Sequence, residues 1–312
     1  MSVAPEAMRV FDRRLVRARR DRRAGDFARH DFLFREVAER LADRLSDVKR
    51  EFPRALDLGA RSGLMATALN GRGGVKTLVQ AELSERLARV ARKRSHAVVA
   101  DEEALPFADG SFDLVLSCLS LHWANDLPGA LAQIYRALKP DGLFLAALFG
   151  YGTLAELREV FLAAEAEIKG GAGPRISPFA DLRDGAALLQ RAGFALPVAD
   201  ADTINVTYEN AFGLMRDLRG MGESNAVEAR SRRPLARATL FRAGDLYTRR
   251  FAQADGRVRA RFQIVYLTGW ARGEGQPQPK KPGSAAKRLA DALGAEERPA
   301  GDKTPTPRPR RS

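Results

Sequence analysis

The residues best placed to do chemistry lie in a glycine-bounded turn. The turn runs from Gly59 to Gly63, directly after the apolar stretch 54–58 and directly before a helix-forming stretch, 64–69. This order predicts a strand, a tight turn and a helix start, where unpaired backbone N–H groups and the helix dipole favour a ligand. Glycine lets the backbone of such a turn approach the ligand closely. The sequence therefore predicts a binding site at the end of the first strand.

Two acids end the strands predicted to follow this turn. Glu82 ends the second strand, 23 residues after Gly59, and its carboxylate could accept from both hydroxyls of a ribose or simply be a solvated acid. Asp101 ends the third, and it could accept from an adenine amine or cap a helix. Leu105 follows and could pack against the base, although ordinary core packing would also explain it.

The fourth predicted strand brings further candidates to the same edge. It ends at Ser117, and His122 lies just beyond it. His122 could act as a general base, could orient a substrate, or could be a structural histidine. No His, Cys and carboxylate residues show the spacing of a metal site.

The elements that position these residues alternate between strands and helices. This alternation predicts βαβ units and a parallel sheet, whose ligands lie beyond the carboxyl ends of the strands. A capping box at Thr153 to Glu156 predicts a helix that runs to Lys169. Helices are predicted over 27–45, 84–94, 127–138, 181–192, 209–218 and 234–251, and strands over 54–58, 75–81, 97–100, 112–117, 143–149, 203–208 and 262–270.

The net charge of +13 is concentrated at the two ends of the 312-residue chain. Residues 1–30 and 271–312 each carry +5, which leaves about +3 for the body between them. A nucleic-acid groove needs its charge on the folded surface, so we expect no specific nucleic-acid binding but basic termini that could contact acidic partners. The predicted organisation is a basic N-terminal arm (1–30), a nucleotide-binding core (31–150), a substrate or lid region that completes the sheet (151–270) and a disordered tail (271–312).

Cysteine content and hydropathy indicate the compartment. The single cysteine, Cys118, excludes an internal disulfide framework, and no apolar run is long enough to span a membrane. The stretch Met1 to Met8 lacks the apolar core of a signal peptide. A cytoplasmic location in a bacterium is expected, with the mitochondrial matrix as the alternative because the N-terminus is rich in arginine.

Adenosine recognition is compatible with two enzyme classes. Dinucleotide-binding dehydrogenases use Gly-x-Gly-x-x-Gly, whereas here Gly59 and Gly63 stand four residues apart behind Asp57. This shorter Asp-x-Gly-x-x-x-Gly spacing, with Asp101 and the segment 105–107 downstream, favours S-adenosylmethionine.

Several motifs together resemble the class I S-adenosylmethionine-dependent methyltransferases, and more narrowly the family of the mitochondrial complex I assembly factor five. The resemblance covers roughly residues 8–270. The stretches that carry it are 10–13, 56–63, 100–107, 111–115, 119–123, 138–142, 176–179 and 221–225.

The resemblance implies a Rossmann-like α/β fold with a seven-stranded, mostly parallel sheet, an antiparallel closing strand and helical insertions. Residues 193–206 and 260–270 would supply the last two strands. By position, Gly59 and Gly63 would hold the methionine moiety of the cofactor, Glu82 its ribose and Asp101 its adenine.

Arg61 departs from the family pattern, because methyltransferases usually have a glycine at this position. Its side chain could obstruct the cofactor, pair with the cofactor carboxylate, or point to solvent. The resemblance also implies a protein substrate, and for the mitochondrial relatives it implies hydroxylation of an arginine on a complex I subunit. Three functions remain open: methyl transfer to a protein linked to complex I assembly, arginine hydroxylation on the same fold, and a non-catalytic assembly chaperone.

Overall fold

One seven-stranded sheet forms the centre of the protein. The structure is a computed structural model that describes residues 9–171, 173–179, 181–274 and 276. Over these residues the strands are β1 (Arg54–Leu58), β2 (Thr77–Glu82), β3 (His96–Val99), β4 (Phe112–Cys118), β5 (Leu138–Phe149), β6 (Ala195–Tyr208) and β7 (Val258–Trp270). Their order in the sheet is β3-β2-β1-β4-β5-β7-β6.

Five strands are parallel, and the closing strand β7 is antiparallel to both of its neighbours. β1 pairs in parallel with β2 and with β4, and β7 lies between β5 and β6. β1 has four consecutive buried residues, as expected for a parallel strand covered on both faces. The predicted fold class is confirmed. The bounds that the resemblance implied, 193–206 and 260–270, lie within two residues of β6 and β7, whereas the strands predicted from the residue pattern, 203–208 and 262–270, begin too late.

Helices cover both faces of the sheet. In the described part of the chain they are α1 (Arg13–Arg23), α2 (Phe32–Ser46), α3 (Leu64–Leu69), α4 (Glu85–Ala91), α5 (Leu127–Ala137), α6 (Ala155–Lys169), α7 (Leu182–Arg191), α8 (Ala211–Gly220) and α9 (Arg237–Phe251). α2, α3, α6, α8 and α9 contribute to one apolar core, and α5 and α7 contribute to a second one. A third, small cluster lies under α1 and joins Val16 to Trp123 and Val227.

The structure corrects two local predictions. The helix predicted over 27–45 begins only at Phe32, because the chain first makes a separate 3-10 turn over Phe27–Arg29. The capping box predicted at Thr153 is wrong: the Thr153 hydroxyl donates to the backbone oxygen of Gln263 on β7, and Leu154 occupies the N-cap position without a side-chain bond. A tertiary partner has therefore replaced the local one.

The disorder predicted for 271–312 concerns residues that, after Gln276, lie outside the described part of the chain. None of the helices described is both long enough and apolar enough to cross a membrane.

Candidate functional site

The glycine turn lies where the sequence predicted it, but its two glycines are used for packing within the chain. Gly59 and Gly63 have φ values of +76° and +85°. A Cβ on Gly59 would overlap the side chain of Ser120, and one on Gly63 would meet the side chain of Gln80 and lie 3.3 Å from the Cα of Ala91. The backbone N–H of Gly59 donates to the oxygen of the β2 residue Ala81. The turn is therefore pinned to its neighbours rather than left open.

Gly59→Ala should lower the free energy of unfolding by about 3 kcal/mol, since it combines left-handed strain with overpacking against Ser120. Gly71→Ala is a matched control, because Gly71 has a φ of +85° but a Cβ added there would meet only open space. The control should lose only about 1 kcal/mol. Chemical denaturation of the two variants measures the difference, and equal losses would contradict the assigned packing of Gly59 on Ser120.

Glu82 is fully buried at the end of β2, and the chain itself occupies both of its carboxylate oxygens. Oε1 accepts from the backbone N–H of Ser84 at 2.9 Å and from Arg20 Nη1 at 3.2 Å. Oε2 accepts from the backbone N–H of Arg61 at 2.8 Å. The acid predicted to bind a ribose thus fastens the glycine turn and holds a guanidinium.

The next two acids bind arginines of α1. Asp101 Oδ1 accepts from Arg13 Nη2 at 2.5 Å, and no helix begins at Asp101, so its predicted alternative role as an N-cap is wrong. Glu102 is buried and accepts from Arg13, from Arg20 Nη1 at 3.2 Å and from the Ser120 hydroxyl. Burial opposes ionisation of Glu102, but the two guanidinium groups outweigh it and hold its pKa far below the usual value. Glu102 is therefore an anion.

Arg61 points into the protein, so the interpretation that it faces solvent is wrong. Its side chain is 2% exposed, and Nη2 donates to Glu223 and to the backbone oxygen of Leu119. Glu223 comes from the loop that follows α8, and its other oxygen accepts from Trp123 Nε1 at 2.9 Å and lies 3.0 Å from His122 Nε2. Burial opposes the charge on Glu223, but Arg61 and then His122 lower its pKa to about 2.

His122, the predicted catalytic residue, is buried beside aromatic rings. Its ring centroid lies 4.7 Å from that of Phe149 and 5.9 Å from that of Phe179. Burial lowers the pKa of His122, so we assign the neutral ring that donates from Nε2 to Glu223. Nδ1 finds no hydrogen-bond partner among the described residues. In this position His122 orients the Glu223 carboxylate.

Asp57 lies inside β1, just behind the turn. Its carboxylate is fully buried, neither oxygen has a hydrogen-bond partner in the described part of the protein, and burial together with the nearby charge of Glu82 raises its pKa to about 8. The pKa of Asp57 is thus higher in the folded protein than the 3.8 of the unfolded chain. Between these two pH values the unfolded chain ionises and the folded one does not, so the folded state loses stability as pH rises.

Asp57→Asn should therefore leave stability nearly unchanged near pH 4 and raise it at pH 7 by about 4 kcal/mol, because the unfolded chain no longer gains from ionising this group. Urea unfolding at both pH values measures the effect, with Asp26→Asn on the exposed surface as the control. A gain that is equal at both pH values would contradict a protonated Asp57.

Two predicted cofactor residues make other contacts. The Ser117 hydroxyl donates to the backbone oxygen of Leu58 at 2.8 Å and so links β4 to β1. Leu105 packs, partly buried, against the core beneath α5, and its backbone N–H donates to Gln133 Oε1. Both residues lie near the predicted edge, but each is explained by packing.

Sequence reasoning missed the groups that fill the site. These are Arg13 and Arg20 from α1, Glu102 and Ser120 from the strand ends, and Glu223 from the segment 221–225 after α8, which is one of the family motifs. One signal was available for α1, because Arg13, Val16 and Arg20 are spaced three and four apart and so share one helix face.

The arrangement of these groups does not fit S-adenosylmethionine. Ser120 covers Gly59, Arg20 and two backbone N–H groups engage the Glu82 carboxylate, and the Arg61 guanidinium is buried against Glu223. An adenosyl ribose at Glu82 would have to displace Arg20. We therefore derive no reaction step through this cofactor.

Comparisons with known proteins give a consistent relationship. A family model described as a methyltransferase domain matches residues 56–146. The arginine-hydroxylase NDUFAF5, mitochondrial, of Homo sapiens is 44% identical over 91% of this chain and 83% of its own length. A malonyl-[acyl-carrier protein] O-methyltransferase of Halorhodospira halophila is 38% identical over 88% of this chain and 92% of its own. The crystal structure of the YcgJ protein from Bacillus subtilis covers 74% of this chain and 97% of its own with a TM-score of 0.53 and 17% identity, a likeness of fold alone.

Proposed function

The chain belongs to the arginine-hydroxylase NDUFAF5 family of the class I S-adenosylmethionine-dependent methyltransferases, and we propose that it is an enzyme that modifies an arginine residue of a partner protein. The observation that carries this proposal is a set of three buried carboxylates: Glu82 and Glu102 at the strand ends, and Glu223 in the loop after α8. Each of them pairs with a guanidinium group from another part of the chain.

Three buried carboxylates in one place are costly unless cations compensate them. Moving a carboxylate or a cation from water into the protein interior costs several kcal/mol for each ion. Only well-placed opposite charges and hydrogen bonds offset this cost. Guanidinium is the best match, because it is planar, always charged and able to donate to two carboxylates at once. Arg20 does this between Glu82 and Glu102. The same chemistry would select an arginine of a partner over a lysine.

We assign hydroxylation as the reaction, following the activity that gives the NDUFAF5 relatives their name. Hydroxylation replaces a C–H bond with a C–OH bond, a two-electron oxidation that takes dioxygen and a two-electron donor, with the second oxygen atom leaving as water. The part that we assign to this chain is to hold and orient the arginine side chain. Glu82 and Glu102 would bind the guanidinium, while His122 and Trp123 hold Glu223 in place. Among the described residues no group of three or more His, Cys, Asp or Glu side chains is arranged to hold a metal ion.

Methyl transfer is the second candidate, favoured by the methyltransferase-domain match over residues 56–146. This segment holds Gly59, Gly63, Glu82 and Asp101 in the order expected for S-adenosylmethionine. In this candidate Glu82 would hold the ribose of the methyl donor once Arg20 has left it, and the acceptor would again be a protein. Calorimetric titration of the wild type and of Glu82→Ala with S-adenosylmethionine tests it; heat from the wild type that is lost in the variant supports cofactor binding.

As partner we propose a subunit of respiratory complex I, because the family motifs at 10–13, 119–123, 176–179 and 221–225 are those of the complex I assembly factor. We propose a bacterial cytoplasm as the location of this protein, with the mitochondrial matrix as the alternative that the relatives named mitochondrial support. The basic termini would assist docking on acidic partners.

The experiment is peptide mass spectrometry of complex I subunits from the same organism, each co-expressed with the wild type. Hydroxylation predicts a mass gain of one oxygen atom on an arginine, and methyl transfer predicts a gain of one CH₂ group. Glu102→Gln should abolish the modification, whereas Glu85→Gln, on the exposed face of α4, should leave it unchanged. A partner that binds tightly but is never modified would leave a chaperone role, and modification confined to lysine would contradict the proposal.

A further inference from the structure

We propose that α1 is an internal pseudosubstrate: the Arg20 guanidinium occupies the site that an arginine of the partner takes, so α1 must withdraw before the partner binds. This inference rests on the proposed function, because it uses the same carboxylates. It assigns a guanidinium site to Glu82, Glu102 and Ser120, and it assigns a regulatory role to residues 13–23.

The guanidinium of Arg20 is held as a bound ligand would be. Its side chain is 0% exposed, Nη1 donates to Glu82 and to Glu102 at 3.2 Å each, and Nη2 donates to the Ser120 hydroxyl at 2.9 Å. The three acceptors come from β2, from the loop after β3 and from the segment after β4. They therefore belong to the folded core and remain in place if α1 leaves.

α1 is attached mainly through polar groups. Seven of its eleven residues are arginine, and Val16 is the one apolar residue that it buries fully. Besides Arg20, its anchors are Arg13 on Asp101 and Glu102, Arg19 on two backbone oxygens, and the Asp21 carboxylate, which accepts from the Ser84 hydroxyl. Water and a partner's own charges can replace such contacts, so the apolar burial that opposes withdrawal of α1 is limited to Val16 and the partly buried Leu15.

The fit of Arg20 is also incomplete. Its Nε has no hydrogen-bond partner in the described part of the chain, and a buried donor left unpaired costs about 1–3 kcal/mol. A partner's arginine that enters at a different angle could satisfy the same carboxylates without this penalty. When the partner's guanidinium replaces that of Arg20, Glu82 and Glu102 keep a positive counter-charge. The free energy needed to withdraw α1 then comes only from its other contacts with the core.

A purely structural ion pair explains these observations less well. Replacement of a buried ion pair by apolar side chains is often neutral or stabilising, so a buried arginine here is weak evidence for a purely stabilising role. The helix also presents six other arginines, of which Arg14 and Arg17 lie on its outer side. An arginine-rich segment with one residue inserted between acids is what a bound arginine peptide would look like.

A reversible staple tests whether α1 has to move. Phe11 and Val227 form an isolated antiparallel pair, in which Asp12 N–H donates to Ala226 and Glu228 N–H donates to Val10. This is the non-hydrogen-bonded type of pair, with Cα atoms about 4.5 Å apart, within the range that a disulfide spans. The Phe11→Cys/Val227→Cys variant therefore ties the start of α1 to the core when oxidised and frees it when reduced.

The probe is Nα-acetyl-arginine N-methylamide, with the lysine and citrulline analogues as specificity controls, titrated into full-length protein. Arg20→Ala should bind the arginine probe at least about tenfold more tightly than the wild type, because the internal competitor is gone. Arg17→Ala, a change of a half-exposed arginine on the same helix, should bind like the wild type. The oxidised Phe11→Cys/Val227→Cys variant should not bind the arginine probe, and reduction of its disulfide should restore binding. In the wild type the probe should speed hydrogen exchange in residues 13–23.

Equal binding by the wild type and Arg20→Ala, or equal affinity for the lysine probe, would overturn the proposed site. Binding that is unaffected by the staple, with the amides of α1 still protected from hydrogen exchange, would mean that the probe merely fills a cavity. This result would overturn the withdrawal of α1.

The modification assay separates the proposed function from the pseudosubstrate proposal. If the probe results hold but no partner arginine gains mass, the proposed function fails; if the oxidised staple modifies the partner as fast as the reduced form, the pseudosubstrate fails.

Discussion

Replacement of Glu102 by alanine should lower the free energy of unfolding by about 3–5 kcal/mol, because it removes a counter-ion that two buried guanidinium groups, those of Arg13 and Arg20, share. Glu102 is the acceptor shared by Arg13, Arg20 and Ser120, so its loss affects all three contacts. Glu82 alone cannot compensate Arg20, since backbone N–H groups already engage it. Urea denaturation at pH 7 measures the loss.

Glu85→Ala, on the exposed face of α4, is the control for this measurement and should change stability by less than about 0.5 kcal/mol. A second variant, Arg20→Met in the Glu102→Ala background, should recover part of the loss, because it removes the stranded cation and leaves an apolar chain of similar length. A loss below about 1 kcal/mol in Glu102→Ala, with no recovery in the double variant, would mean that α1 is not seated on this acid.

The stability contributed by Glu223 should depend on pH in a defined window. Arg61 and His122 depress its folded pKa from 4.5 to about 2 against the opposing effect of burial. A depressed folded pKa gives stability that is fully present above the unfolded pKa and is lost as pH falls through the folded value. Glu223→Gln should therefore be less stable than the wild type by about 3 kcal/mol at pH 7, and the two curves should converge near pH 2.

Chemical denaturation of both proteins across this pH range, compared as a difference, separates Glu223 from the other acids that protonate over the same range. The Arg61→Met/Glu223→Gln double variant should lose less than the sum of its single variants, since the two groups contact each other directly. A difference between Glu223→Gln and the wild type that stays constant from pH 7 to pH 2 would contradict an ionised Glu223 paired with Arg61.

The fold could be predicted from the sequence because the patterns that specify its strands and helices are local. β1 matches its predicted bounds, and β2 ends at Glu82 as expected, since continuous apolar runs closed by glycine or an acid mark buried parallel strands. The errors fall where a distant partner outcompetes a local one. Thr153 has the sequence of a helix cap, but its hydroxyl is taken by β7, which follows more than a hundred residues later.

The site could be predicted only in part, because distant residues decide what its side chains contact. Parallel topology brings the ends of β1, β2 and β4 to one edge, so Gly59 and Glu82 could be placed together from sequence. The partner of Glu82 could not be identified, because Arg20 is one of nine arginines among residues 1–30, and composition does not distinguish among them. Helix geometry does so, since Arg20 lies one turn after the buried Val16.

By itself the sequence determined the α/β sheet, the succession of its strands along the chain and the edge at which acids collect, since chain order and hydrophobic periodicity specify these. Tertiary structure alone decided what those acids bind: Arg61 turns inward to Glu223, and Arg20 enters between Glu82 and Glu102. Which cation pairs with a buried acid depends on which one the tertiary structure brings to that acid and removes from water. No local pattern in the sequence specifies that choice.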